Sequence, residues 1–163
     1  MKSKQVALTG LLIALALVLS YLESLVPLSF AIPGIKLGLP NLVIVFALYR
    51  LRPGVAAAIS LLRVALVAML FGSVLSLAYS AAGAVCSLLL MLGLKTSGKF
   101  GCTGVSVAGA VAHNAAQVGV AAIVLETGRL MYYLPALCVS GVIAGVCIGL
   151  LAAFLTKRIP FRT

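Results

Sequence analysis

The chain of 163 residues contains no aspartate, only two glutamates (Glu23 and Glu126) and a single histidine, His113. Magnesium-dependent diphosphate chemistry needs carboxylates to hold the metal. Two acids, both expected near the outer ends of apolar runs, offer it no seat. No G-x-x-x-x-G-K-[ST] loop is present to cradle ATP, and no G-x-S-x-G turn or zinc spacing occurs. The four cysteines (Cys86, Cys102, Cys138, Cys147) form no C-x-x-C pair and have no ligand spacing with His113. They read as small packing residues in apolar surroundings. The expectation is a chain that is not an enzyme and carries neither metal nor cofactor.

Charge is also scarce: 9% of residues are charged, 64% are apolar, and mean hydropathy is +1.29. A soluble domain carries about 25% charged residues, and a water-soluble fold of this size could not hide so much apolar surface. Lipid is therefore the solvent for much of the exterior. Twelve Lys and Arg give a net charge of +10. In a soluble protein that would suggest nucleic acid. Here the cations lie mostly in short segments between apolar runs, where they set orientation and meet anionic headgroups, so no nucleic-acid partner is expected.

A membrane span needs about 20 mostly apolar residues, with roughly 17 at the short end. Six such runs occupy residues 6–26, 37–49, 55–71, 74–94, 105–125 and 132–156. The second is short, contains Pro40, and draws its start from the irregular stretch 27–36. Nine basic residues fall on one side of these spans and two, Lys36 and Arg129, on the other, with Arg63 left inside the third. This positive-inside bias predicts a single all-α transmembrane domain over residues 1–163. It would be a polytopic six-helix bundle with both termini cytoplasmic, in a bacterial-type plasma membrane. A competing reading treats residues 1–31 as a signal peptide. It leaves five spans and breaks the alternation of charge.

Small residues recur at helical spacing. Ala7, Gly10 and Ala14 share one face of the first span, and Gly141, Gly145 and Gly149 form a stripe on the sixth. Small residues let helix backbones approach closely in lipid. The stripe on the sixth span reads as internal packing; the first-span face suits either packing or docking to another membrane protein.

Polar groups in the wrong solvent are the candidate site. Arg63 lies mid-span, where a charge costs about 2.5–3.5 kcal/mol on insertion scales. It should point inward, either to a backbone carbonyl or Glu23, or to an anionic or oxygen-rich solute. His113, Asn114 and Gln117 cluster on the fifth span as cavity lining or as interhelical glue. Residues 31–41 hold two Pro, two Gly, Lys36 and Asn41, either a lid over an outward-opening site or an ordinary loop. Glu23, Tyr79 and Ser80 lie in the outer halves of their spans and could line the same cavity. Lys36, Arg63 and His113 against one nearby acid suggest positive potential and an anionic or carbonyl-bearing solute.

The run Ile32-Pro33-Gly34-Ile35-Lys36-Leu37-Gly38-Leu39-Pro40-Asn41-Leu42, then Arg63, Phe71-Gly72-Ser73 and Ala112-His113-Asn114, resembles the Gx transporter family, also catalogued as heptaprenyl diphosphate synthase component I. That family in turn resembles the substrate-binding S components of energy-coupling factor transporters. The resemblance implies a six-span protein whose outer site is closed by the loop between the first two spans. It also implies partners: a transmembrane coupling subunit driven by two ATPases. Carried over, Lys36, Asn41, Arg63, His113 and Asn114 form the pocket and Ala7, Gly10 and Ala14 the docking face; Tyr79 and Gln117 are candidates from the residue pattern alone. The family's other name implies an alternative, an accessory membrane subunit of a prenyl diphosphate synthase.

Overall fold

The computed structural model describes residues 2–26 and 37–159. Six α-helices follow in order: α1 (Lys2–Leu25), α2 (Leu39–Arg50), α3 (Pro53–Phe71), α4 (Val74–Thr96), α5 (Cys102–Val124) and α6 (Leu134–Arg158). No strand occurs among the described residues, and the fold is all-α. All the helices except α2 are long and apolar enough to cross a bilayer. Their outward faces carry Val74, Met69 and Ile123 at 85%, 81% and 76% exposure. Such a surface is stable only against lipid, and the protein is a multi-pass membrane protein.

Helix starts follow the punctuation of the sequence. Pro40, Pro53 and Pro135 sit in the first turns of α2, α3 and α6, where a missing N–H costs nothing. Ser73 and Ser76 exchange side chain-to-backbone bonds in a capping box that starts α4. A Cβ on Gly72 would stand 2.9 Å from Ala68 Cα, so the tight α3–α4 corner needs glycine there. Helix limits shift from the expected runs by a few residues, most at the starts of α1 (Lys2 rather than residue 6) and α5 (Cys102 rather than residue 105). Residues Gly128–Tyr133 form a 3-10 turn and α6 begins at Leu134 rather than at residue 132. Tyr132 is 87% exposed on that turn, a position suited to the membrane–water interface.

The short helix is the centre of the molecule. α2 touches α1, α3, α5 and α6, while α3–α4, α4–α5 and α5–α6 neighbours and the α1–α3 contact build the wall around it. Every residue from Val43 to Leu48 is buried. A helix that is apolar on all sides belongs inside a structure, and α2 packs with Leu12, Ala16, Ile59, Met91 and Val105 into one core cluster.

α2 has 12 residues, or about 18 Å of helix, against about 35 Å for the 23 residues of α4. The solid core therefore fills one half of the bundle only. It is the half where α2, α4 and α6 end, as their terminal contacts show. Arg50 donates to the Thr156 carbonyl, and Lys95 donates to the Leu48 carbonyl while lying 5.5 Å from the Tyr49 ring centroid. Cations there meet the carbonyl-rich, negative ends of three helices.

The α5–α6 contact is a close backbone approach. A Cβ on Gly145 would lie 2.6 Å from Val107 Cα, and one on Gly149 would lie 2.6 Å from Thr103 Cα. The sixth-span stripe is packing, for lack of any room.

Candidate binding site

The other half of the bundle is hollow. A cavity of about 280 Å3 opens among all six helices and starts where α2 starts, with Leu37, Gly38, Pro40, Asn41 and Ile44 on that side. Its α4 wall is Ser76, Ser80, Ala84, Ser87 and Met91, a stripe of three- and four-residue steps along one helical face. α5 contributes Gly109, Ala110, His113 and Asn114; α3 contributes Ser60, Arg63 and Val64. α1 reaches it only at its last turns, through Ser20, Glu23 and Ser24.

Glycine shapes two of its edges. Gly38 caps α2 in the left-handed region at φ 74°, where a side chain costs roughly 1–2 kcal/mol. Its N–H donates to Glu23 Oε1 at 2.5 Å, tying the end of α1 to the start of α2. A Cβ on Gly83 would stand 3.0 Å from His113 Nδ1, so the absence of a side chain lets α4 lie against the imidazole.

Hydrogen bonding separates groups that hold the walls from groups that face the space. Asn114 Nδ2 donates to the Leu137 carbonyl at 2.7 Å and fastens α5 to α6. Ser20 and Ser24 bond back to carbonyls of their own helix. Arg63 Nη1 donates to Ser20 Oγ at 3.3 Å, and its Nε is buried without a partner among the described residues. Among the described residues, neither a backbone carbonyl nor Glu23 is hydrogen-bonded to it. The Ser60 and Ser87 hydroxyls, 2% and 4% exposed, and the Asn41 carboxamide make no hydrogen bond to another described residue. A buried polar group without a partner costs about 1–3 kcal/mol, and Arg63 Nε is such a group on the cavity wall.

The candidates from the sequence fall into three groups. Asn41, Arg63, His113 and Asn114 come together on the cavity, joined by Glu23 and Ser80. Lys36 lies outside the described residues, as does most of the stretch 31–41. Tyr79 and Gln117 do not line the cavity. Tyr79 precedes Ser80 and is turned about 100° round the helix from it. Gln117 is buried further along α5 and donates through Nε2 to Ser80 Oγ at 3.3 Å, a tie between α4 and α5. The serines Ser60, Ser76 and Ser87 were missed as cavity residues, although Ser76, Ser80 and Ser87 fall at helical spacing in the chain.

The expected positive potential turned on Lys36, Arg63 and His113 against one acid; Arg63, His113 and Glu23 are on the cavity, and Lys36 lies outside the described residues. The described lining holds one guanidinium, Arg63, and one carboxylate, Glu23, on the same space. No phenylalanine or tyrosine ring is among the described lining residues. The face with Ala7, Gly10 and Ala14 points away from the bundle. All three are exposed, and a Cβ on Gly10 would meet nothing within 4 Å.

No curated protein and no solved structure gives a significant match to this chain. A family model does: the one described as heptaprenyl diphosphate synthase component I matches residues 12–155. That range includes nearly all of the bundle and the whole described lining of the cavity, and the chain belongs to the heptaprenyl diphosphate synthase component I family, also catalogued as the Gx transporter family.

Proposed function

We propose that this protein is the membrane-embedded, solute-binding subunit of an importer of the energy-coupling factor type, and that it is not itself an enzyme. The observation that carries this reading is the polar cavity, in which the buried Arg63 Nε has no partner among the described residues and Ser60, Ser87 and Asn41 face the same space. Polar and ionisable groups facing a cavity inside a membrane bundle mark substrate or ion pathways. The chain offers no nucleotide loop, so energy would come from a coupling subunit and its ATPases. The exposed Ala7–Gly10–Ala14 face has the open space that close helix docking requires.

Six spans, cytoplasmic termini and a plasma-membrane location complete the proposal. The basic residues gather at the end where α2, α4 and α6 finish, which the positive-inside rule assigns to the cytoplasm. The cavity lies toward the opposite end and would load from outside.

The test is native mass spectrometry of the gently purified protein after exposure to a bacterial metabolite extract. Wild type should retain a small molecule that Arg63→Ala and Arg63→Gln lose while both variants stay folded. An empty cavity in wild type would refute the reading. The family's other name favours a second one, an accessory subunit of a prenyl diphosphate synthase. Co-purification of a soluble synthase, with no bound metabolite, would establish that instead.

A further inference from the structure

The chemistry of the cavity also limits what can fill it. We infer, on the basis of the solute-binding reading, that the ligand is a compact, non-aromatic zwitterion, an amino carboxylate, with its carboxylate on Arg63 and its ammonium toward Glu23. Three observations carry this.

The first is charge. Arg63 and Glu23 both face the cavity, yet they are not bonded to each other. Arg63 has Ser20 as its partner, and Glu23 Oε1 is engaged by the Gly38 amide. In a water-poor site the cost of unbalanced charge rises steeply. A monoanion would answer Arg63 but leave Glu23 facing a second negative charge. A cation would do the reverse. A zwitterion answers both and adds no net charge.

The second is spacing. Ser20 and Glu23 are three residues apart on one face of α1, about 5–6 Å between their Cβ atoms. Because the guanidinium reaches Ser20 Oγ, the two charged groups are one helical turn apart. The carboxylate and ammonium of an amino acid, each with its own hydrogen bond outward, bridge such a gap. A planar guanidinium also favours carboxylate in a fork geometry.

The third is the shape and lining. About 280 Å3 is at the small end of ligand pockets, which run to about 300–1,000 Å3, and suits a compact metabolite. The deep end, at Ser60, Ser87 and Met91, presents two unpartnered hydroxyls and a thioether. That suits a short side chain with a hydroxyl or amide. No aromatic face among the described lining residues is set to stack on a planar heterocycle.

The experiment uses the full chain in nanodiscs and reads its melting temperature with three probe mixtures. These are the non-aromatic proteinogenic amino acids, the matching 2-hydroxy acids, and the matching amino acid methyl esters. The amino acids should raise the melting temperature by about 5 °C or more at a hundredfold excess over the dissociation constant. The other two mixtures, each lacking one charge, should not. Arg63→Gln should weaken amino acid binding by about 100-fold. Glu23→Gln keeps a carbonyl acceptor for the Gly38 amide, so it should fold. It should shift the preference toward hydroxy acids by on the order of tenfold, which a purely structural Glu23 would not do. Hydroxy acids that bind wild type as well as amino acids would overturn the inference and leave solute binding intact. So would silence of all three mixtures beside a metabolite captured by native mass spectrometry. Silence in both experiments would remove the solute-binding reading itself.

Discussion

Gly145→Ala separates a glycine that packs from one that is left open for something else. The added Cβ would stand 2.6 Å from Val107 Cα and 3.1 Å from Val107 N. Both are backbone atoms, so no rotamer change relieves the clash; α6 must move off α5 by about 1 Å to restore ordinary contact. A gap of that size forfeits up to about half of each contact of about 0.15 kcal/mol, so on the order of thirty contacts along the stripe gives about 2 kcal/mol. Alanine recovers at most about 1 kcal/mol of helix propensity, leaving a net loss of about 1–2 kcal/mol. Gly109→Ala meets Met91 Cγ and Sδ at 2.6 Å, but a thioether can swing aside, so its loss should be smaller. Gly10→Ala and Gly119→Ala, with nothing within 4 Å, should be neutral or slightly stabilising. Unfolding in mixed micelles by SDS titration, followed by circular dichroism, ranks the four. A Gly145→Ala protein within about 0.5 kcal/mol of Gly119→Ala would refute the close-approach argument, given the usual additivity error. The same series bears on function. Gly10→Leu should leave stability nearly unchanged yet weaken co-purification of a coupling subunit, if the α1 face docks one.

Two further outcomes follow from the geometry. Gly38→Ala should destabilise the protein by roughly 1–2 kcal/mol from its left-handed backbone and weaken metabolite retention, since the Glu23 tie sits at the cavity rim; unchanged retention in native mass spectrometry would show the rim to be dispensable. In a variant lacking the native cysteines, Glu126→Cys in intact cells should react with a membrane-impermeant maleimide, while Lys99→Cys and Lys157→Cys should stay protected; the opposite pattern would invert the proposed orientation.

Much of the bundle was legible in the chain because lipid is a demanding solvent. A span must be a nearly unbroken apolar run, so helix limits could be placed to within a few residues, and basic residues marked one end. Arg63, Asn41, His113 and Asn114 stood out because polar groups in hydrocarbon are expensive. The serines did not stand out, because a serine in a membrane helix can bond back to its own backbone, as Ser20 does. Tyr79 and Gln117 lie off the described lining for a related reason: spacing shows which residues share a face but not which way that face turns.

Sequence alone thus determined the class of protein, the number and extent of its apolar runs and the residues that lipid would not tolerate, because each of these is a local transfer free energy summed along the chain. Tertiary structure decided the rest. That α2 is the buried centre could not be read from a uniformly apolar segment, which satisfies lipid and protein interior equally well. The cavity exists because that central helix starts halfway along its neighbours, and the placing of Arg63 and Glu23 on the same space depends on the rotation and depth of α3 and α1. Those are set by packing, at places such as the glycine stripe of α6, where backbones meet with no side chain between them.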